Sequence, residues 1–332
     1  MRENFNKVSE LIAQSKNILI VSHRAPDEDA VGSALALNLA FKKQGIDSSV
    51  FISDYSPREY KFLPGYNLIS SEIKNCEFDL IFALDYGDIK RLSLDDFLIQ
   101  RQPTIITIDH HIDEGTNHIG EIKILESASS TSEIIYDYLN ESGWQIDKDI
   151  ATCLLTGIIG DTGGFLHSNT SHKTLIMVGN LLSKGIRINK ITKQILNNKT
   201  LANNSKLLGG LLSRVEKYHD LNLVYLIVNH DDFESWHKSD LDNLVSTINT
   251  VDDCSWALLL VEYEKGKTKG SLRSEDFKGV DVSKIASLFG GGGHKLASGF
   301  RTEGRPEEVF QTLIDKLGAS GGTGRRVGLK IQ

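Results

Sequence analysis

The chain has few cysteines, few prolines, no long apolar run and no excess of positive charge. Cys76, Cys153 and Cys254 are the three cysteines of 332 residues, and no CxxC pair occurs among them. That excludes a disulfide framework and a thiolate zinc site, and the expected setting is reducing and cytoplasmic. The apolar stretches are short, such as WALLLV at 256–261, against the roughly 18 to 20 residues that a spanning helix requires. The opening MRENFNKVSELIAQSKN is dotted with charge and has no signal-peptide core, so no membrane role is expected. A net charge of −7 leaves no broad basic face for a long polyphosphate backbone. A nucleic-acid ligand would have to be short.

What is present is ordinary globular text, 40% apolar and 24% charged, long enough for about two domains. From residue 18 to about 185, short apolar runs alternate with helical patterns. The runs are ILIVS from Ile18, SVFIS from Ser49, DLIFAL from Asp79 and TIITI from Thr104. Between them, Leu35 with Leu39 and Ala36 with Ala40 recur at helical spacing, and a helix over 148–159 carries Ile150, Leu154, Leu155 and Ile158 on one side. Ser129, Ser130 and Thr131, with Glu133 following, read as the cap of the next helix. The fold class is therefore α/β, a mostly parallel sheet over residues 1–185. Residues 186–218 read as a helical connector, and 219–320 as a smaller α+β domain with a helix from Asp231 to Val251 and a hairpin turning at Lys265 and Gly266. A glycine-rich tail, 321–332, ends the chain.

Three apolar runs of the first domain end in ionisable residues: His23, then Asp85, then Asp109, His110 and His111. In parallel α/β sheets the carboxyl ends of the strands meet at one edge, so these groups converge. LLTGIIGDTGGF places Asp161 at the end of a further apolar run, and Asp27 and Asp29 follow His23 closely. Singly, each has a plainer role: Asp29 as a helix N-cap, Asp161 in a turn, the histidines in a loop. Together they form an oxygen-rich set with imidazoles, which suits a divalent ion such as Mn²⁺ better than structural zinc. His23, Asp27, Asp29, Asp85, His110 and Asp161 make six ligands, enough for two ions about 3.5–4 Å apart.

SHRAPDEDAVGS, ALDYGD, DHH and GIIGDTGGF resemble the four motifs of the DHH phosphoesterase family, and GGGGHKLASGF at 290–300 resembles the signature of its DHH-associated C-terminal domain. The resemblance is to the NrnA-like type, bifunctional oligoribonucleases and phosphoadenosine phosphate phosphatases, rather than to the longer RecJ exonucleases. One position departs: Glu28 stands where the family commonly has glycine. The resemblance implies that His23, Asp27 and Asp85 hold one Mn²⁺, and Asp29, Asp85, His110 and Asp161 the other, with Mg²⁺ as the alternative ion. It makes Asp109 an orienting carboxylate and gives His111 to the scissile phosphate or leaving oxygen; Arg24 has no assigned role. In the second domain it gives Arg273, Gly291, Gly292, Gly293 and His294 to the substrate, beside Lys295. Lys265, Lys267 and Lys269 either line the entrance or protect a sheet edge.

The implied activity is hydrolysis of short oligoribonucleotides to mononucleotides and of 3'-phosphoadenosine 5'-phosphate to AMP and phosphate, in a cleft between the domains. The same centre could instead cleave cyclic dinucleotides or linear dinucleotides. A noncatalytic nucleotide or RNA-binding module is the reading from another class. A homodimer is a family expectation.

Overall fold

The first apolar run, Ile18–Val21, is a strand buried at all four positions, β1, with a parallel neighbour on each edge. A strand covered on both faces has no polar side, which is why it reads as continuous ILIV instead of alternating. The computed structural model describes residues 2–319 apart from 57, 74–76, 93–102, 112–117, 199–204, 236–243, 246 and 252. Cys76, part of the helix expected over 231–251, and the glycine-rich tail lie outside the described residues. The chain divides into two compact units, 1–198 and 199–332.

The first unit runs α1 (Arg2–Gln14), β1, α2 (Glu28–Lys43), β2 (Ser48–Phe51), β3 (Ile69–Ser70), β4 (Leu80–Leu84), β5 (Thr104–Asp109) and β6 (Ile122–Leu125). Four helices follow: α3 (Thr131–Glu141), α4 (Lys148–Asp161), α5 (His172–Leu182) and α6 (Ile188–Asn198). The strands are ordered β3-β2-β1-β4-β5-β6, parallel throughout. The order steps outward in both directions from the β1/β4 pair, and that reversal opens a crevice at the carboxyl ends of those two strands.

Two glycines decide how the helices sit on this sheet. A Cβ on Gly32 of α2 would lie 2.6 Å from the Cys153 carbonyl oxygen and 2.9 Å from the Gly157 nitrogen of α4. The two backbones therefore touch where no side chain intervenes. Helix α3 starts as its sequence predicts, with Ser130 Oγ accepting from the Glu133 N–H at 3.2 Å. The buried Glu133 carboxylate accepts in turn from Ser129 Oγ at 2.7 Å and Thr174 Oγ1 at 2.9 Å, with Lys173 Nζ at 3.2 Å, tying α3 to α5.

The polar stretch after residue 185 is shared between the units. Ile191 and Ile195 of α6 pack into the first core, while α7 (Ser205–Leu212) places Leu211 in a core of the second. The second unit continues with β7 (Glu216–Tyr218), β8 (Leu223–Val228), β9 (Trp256–Glu264), β10 (Lys267–Ser274), α8 (Val282–Ser287), β11 (Gly292–His294), β12 (Ala297–Glu303) and α9 (Pro306–Ala319). Its sheet order is β11-β12-β10-β9-β8-β7, antiparallel except for β8 with β9. Ala257, Leu259 and Val261 of β9 enter one core and Trp256, Leu258 and Leu260 the other, so the sheet is covered on both faces.

Two expectations need correction. The segment expected to be helical from Asp231 begins instead as a 3-10 helix, His230–Ser235. The β9–β10 hairpin turns at Lys265 and Gly266 as expected, but β10 is paired on both sides. Lys267 and Lys269 therefore protect no sheet edge; Lys267 Nζ instead pairs with Glu264 Oε2 at 2.8 Å. No helix among the described residues is long and apolar enough to cross a membrane.

Glu133 yields a stability prediction. Burial raises its carboxyl, but the hydrogen bonds from Ser129, Thr174 and Lys173 outweigh burial and hold it below its ordinary 4.5. A carboxyl lowered on folding stabilises the fold above its unfolded value, and the contribution is lost as pH falls through the folded value. Denaturant melts should show Glu133→Gln less stable by about 1–3 kcal/mol at pH 7. The gap should narrow below pH 4.5.

Candidate metal centre

The crevice at the β1/β4 reversal is where the ionisable residues gather. β1 runs into the buried His23, β4 into the buried Asp85, and β5 ends at the buried Asp109, with His110 and His111 next. Among the described residues five non-glycines have positive φ, and three lie in these motifs: Ala25 (52°), Asp85 (52°) and Phe165 (74°). Left-handed backbone costs free energy at such residues and persists where the surroundings impose it, commonly at functional sites. At Asp85 the turn is fixed by its own N–H donating to the Ile108 carbonyl and by the Tyr86 and Gly87 N–H groups donating to Asp109.

Asp85 is shared by two clusters of metal-ligating side chains, His23–Asp27–Asp85 and Asp85–His110–His111. His23 Nδ1 lies 2.8 Å from the Arg24 carbonyl oxygen, which can only accept, so this nitrogen carries the proton. His23 Nε2 then presents a lone pair to Asp27 Oδ2 at 3.6 Å and Asp85 Oδ2 at 3.9 Å. His110 Nε2 lies 3.5 Å from Asp85 Oδ1 and 3.5 Å from Asp161 Oδ2. These separations exceed good hydrogen bonds, and carboxylate oxygens and imidazole nitrogens gathered this closely are a set that can hold a cation. The carboxyls tell the same story. Burial first, then Asp29, drives Asp85 well above the carboxylate range, against the pull of His110. Burial pushes Asp161 up to about 7, opposed by His110 and aided by Asp29 and Asp27. Burial lowers His110, yet Asp85, Asp161 and Asp29 together push it well above its ordinary value. The donor set thus fits a divalent metal.

The remaining residues divide by their partners. Asp109 accepts from the N–H groups of Tyr86, Gly87 and His111, from His111 Nδ1 at 2.7 Å, and from His118 Nε2 at 3.3 Å. Burial raises this carboxyl, but the hydrogen bonds from His111 and His118 hold it far below the usual range. It faces imidazole and amide and orients His111. Asp29 does not cap its own helix; Asp27 does, accepting from the Asp29 and Ala30 N–H groups. The buried Asp29 instead caps α3, with Oδ2 accepting from Thr131 N–H at 2.6 Å and Oδ1 from Ser132 N–H at 3.0 Å. It joins neither cluster. Asp161 is the last residue of α4, with Asn169 Nδ2 3.4 Å from its Oδ2. Arg24 is exposed and donates from Nη2 to the Lys90 carbonyl at 2.6 Å.

Sequence reasoning missed three positioning residues. His118 braces Asp109, Thr131 Oγ1 donates to Asp85 Oδ1 at 3.2 Å, and Asn169 bridges Asp161 to the Ser129 carbonyl. None sits in a motif; Thr131, at the cap after a strand, carried the one usable signal.

In the second unit the glycine run is not a free loop. Gly292–His294 form β11, an exposed edge strand paired with β12. Gly291 and Gly293 are required by packing: a Cβ on Gly291 would lie 2.3 Å from the Gly299 carbonyl oxygen, and one on Gly293 2.7 Å from that of Ala297. Arg273 of β10 pairs with Ala297 of β12, which pairs with His294 of β11. Residues paired across antiparallel strands share a face, so Arg273 and His294 stand in one row with alanine between them, about 10 Å apart at the backbone. Lys295, next in sequence, binds Asp276 Oδ1 at 2.9 Å.

The chain is similar to known proteins over most of its length. Residues 17–158 match the DHH family N-terminal domain and residues 220–320 the DHHA1 domain. Over 328 residues the chain is 30% identical to the bifunctional oligoribonuclease and PAP phosphatase NrnA of Thermus thermophilus, covering 96% of both proteins. The chain belongs to the DHH family of phosphoesterases. A second DHH relative, the enzyme of the same description from Bacillus subtilis, is 29% identical over 291 residues, 85% of this chain and 88% of that one. A solved structure of an exopolyphosphatase-related protein from Bacteroides fragilis superposes with a TM-score of 0.86 at 28% identity, over 95% of this DHH chain and 96% of that one.

The close packing at Asp29 is testable. A Cβ on Gly157 would lie 2.0 Å from Ser132 Oγ and 2.5 Å from Asp29 Oδ1. Gly157→Ala should cost about 1–3 kcal/mol by overpacking. By calorimetric titration it should also weaken Mn²⁺ binding, as Asp29 and its neighbours are displaced.

Proposed function

We propose that this chain is a two-metal, Mn²⁺-dependent phosphoesterase. It hydrolyses short oligoribonucleotides to mononucleotides and 3'-phosphoadenosine 5'-phosphate to AMP and phosphate. The observation that carries this reading is Asp85, one buried carboxylate shared by two clusters of ligating side chains at the strand-order reversal. The two activities are those named for the Thermus and Bacillus relatives. The net charge of −7 favours short, weakly charged substrates over a long strand.

In this assignment His23, Asp27 and Asp85 hold one ion, and Asp85, His110 and Asp161 the other. Asp29 joins the second through lone pairs that its amide hydrogen bonds do not use. When bound, the pair of cations supplies a water of lowered pKa and neutralises charge on the phosphate. Asp109 fixes the His111 ring through Nδ1, so Nε2 is the nitrogen assigned to the leaving oxygen. Thr131 holds the Asp85 oxygen that faces His110. Arg273 and His294, with the glycines 291–293 that precede His294, are assigned to the phosphate and ribose of the substrate's far end.

The test measures mononucleotide release from an RNA dinucleotide and phosphate release from 3'-phosphoadenosine 5'-phosphate in Mn²⁺. Asp85→Asn should lower both by at least about a thousandfold, the scale of a lost metal-bound nucleophile. Undiminished turnover in that variant would remove the two-metal assignment, and preference for a long RNA over the dinucleotide would remove the short-substrate one. Arg273→Ala should raise KM about 10-fold or more while leaving Mn²⁺ affinity unchanged, as expected of a charge-assisted contact to substrate alone.

A further inference from the structure

Arg91 lies beside the His23 cluster without belonging to it. It follows β4 by seven residues, on a short 3-10 turn, Ile89–Arg91, held by the Asp88 carboxylate accepting from the Lys90 N–H. Its carbonyl accepts from the Arg24 N–H at 2.9 Å, and the bridge between His23 and Leu92 fixes the turn against the end of β1. The guanidinium is thereby placed with Nη2 3.2 Å from His23 Nδ1. That nitrogen already donates its proton to the Arg24 carbonyl, so two donors face each other and the contact is no hydrogen bond. The turn anchored at Asp88, at the Arg24 amide and at the His23–Leu92 bridge is what places the guanidinium there.

Gly87 locates the other end of the group. A Cβ on Gly87 would lie 3.5 Å from Arg91 Nη1 and 3.6 Å from His111 Cγ, so the guanidinium and the His111 imidazole flank the same bare stretch of backbone. An exposed, planar fork of donors thus stands beside one ligand cluster and opposite the histidine assigned to the leaving oxygen. No carboxylate among the described residues accepts a hydrogen bond from it. A tetrahedral oxyanion matches such a fork in geometry and charge.

We propose that Arg91 binds a non-bridging oxygen of the substrate phosphate, on the side of the centre away from the metal-facing Nε2 of His23. The proposal rests on the phosphoesterase reading for its substrate, but the contact is with phosphate itself. Gly87 itself has left-handed backbone, φ 63°, which favours glycine, and a Cβ there would meet Arg91 and His111 only at ordinary contact distance.

The experiment uses the full chain in Mn²⁺, with inorganic phosphate as the probe and RNA dinucleotide turnover alongside. For Arg91→Ala, kcat/KM should fall about 10- to 100-fold and Arg91→Lys should recover part of it, the span of a lost charge-assisted hydrogen bond. The thermal shift produced by inorganic phosphate should disappear in Arg91→Ala while the Mn²⁺ titration isotherm stays within about twofold of wild type. An unchanged phosphate shift would overturn the proposal. So would a loss of Mn²⁺ affinity in step with activity, which would mean that Arg91 merely props His23. A wild-type chain that cleaves no dinucleotide yet shows an Arg91-dependent phosphate shift would defeat the hydrolase reading and leave this one standing.

Discussion

The centre is governed by the cost of gathering carboxylates out of water. Asp29, Asp85 and Asp109 are essentially inaccessible, at 1%, 2% and 0% exposure, and Asp161 ends a helix beside them. Buried like charges cannot all stay ionised unless each is compensated. The fold compensates them unequally. Asp109 receives three amide N–H groups and two imidazoles and is held firmly ionised. Asp29 receives two amides at the start of α3, where the helix dipole also favours a negative group. Asp85 receives the Thr131 hydroxyl at 3.2 Å and imidazoles at 3.5 Å or beyond. Of these three, the least satisfied carboxylate therefore stands at the point common to both clusters. What the protein withholds from it, a cation would supply.

That inequality follows from backbone placement. Asp85 occupies the first residue after β4 in a left-handed conformation, which sends the chain sharply aside and turns the amides of Tyr86 and Gly87 onto Asp109. One strained residue thus presents its own carboxylate to the crevice and commits two donors to its neighbour. The close approach of α2 to α4 at Gly32 and Gly157 does the corresponding work on the other side. It brings Asp29 within reach of the amides that begin α3, and sets the end of α4, with Asp161, over His110.

Much of this was legible because buried parallel strands are long enough to be read and polar residues at their ends are conspicuous. ILIV, LIFAL and TIITID stand out, and each leads directly into ionisable side chains. The two outer strands are less legible: Ile69–Ser70 has two residues, and Ile122–Leu125 alternates weakly at the sheet edge. Whether Asp27 or Asp29 caps α2 could not be read from spacing, since both precede an apolar run; the cap falls to whichever residue keeps extended backbone, and Asp27 does. The partners of Asp109 were equally hidden. His118 is nine residues away along the chain and reaches it only because the next strand returns beside β5. That the glycine run pairs as an edge strand is not legible either, because such pairing leaves no trace in four identical residues.

Glu28 adds a further carboxylate to the crevice. It stands between the paired aspartates, and its half-buried side chain lies on the last turn of α4: a Cβ on Gly160 would be 2.4 Å from Glu28 Cβ and 3.3 Å from its Oε2. Positions 28 and 160 therefore share one volume, and this chain fills it from the first motif and empties it in the fourth. The added carboxylate does not simply face water. It leans toward the helix end that carries Asp161 and is among the charges that raise that group, after burial and the nearer aspartates. A negative charge placed there disfavours an ionised Asp161 in the protein alone and favours a cation once the ligands are assembled, so Glu28 reinforces the same imbalance that Asp85 sets up.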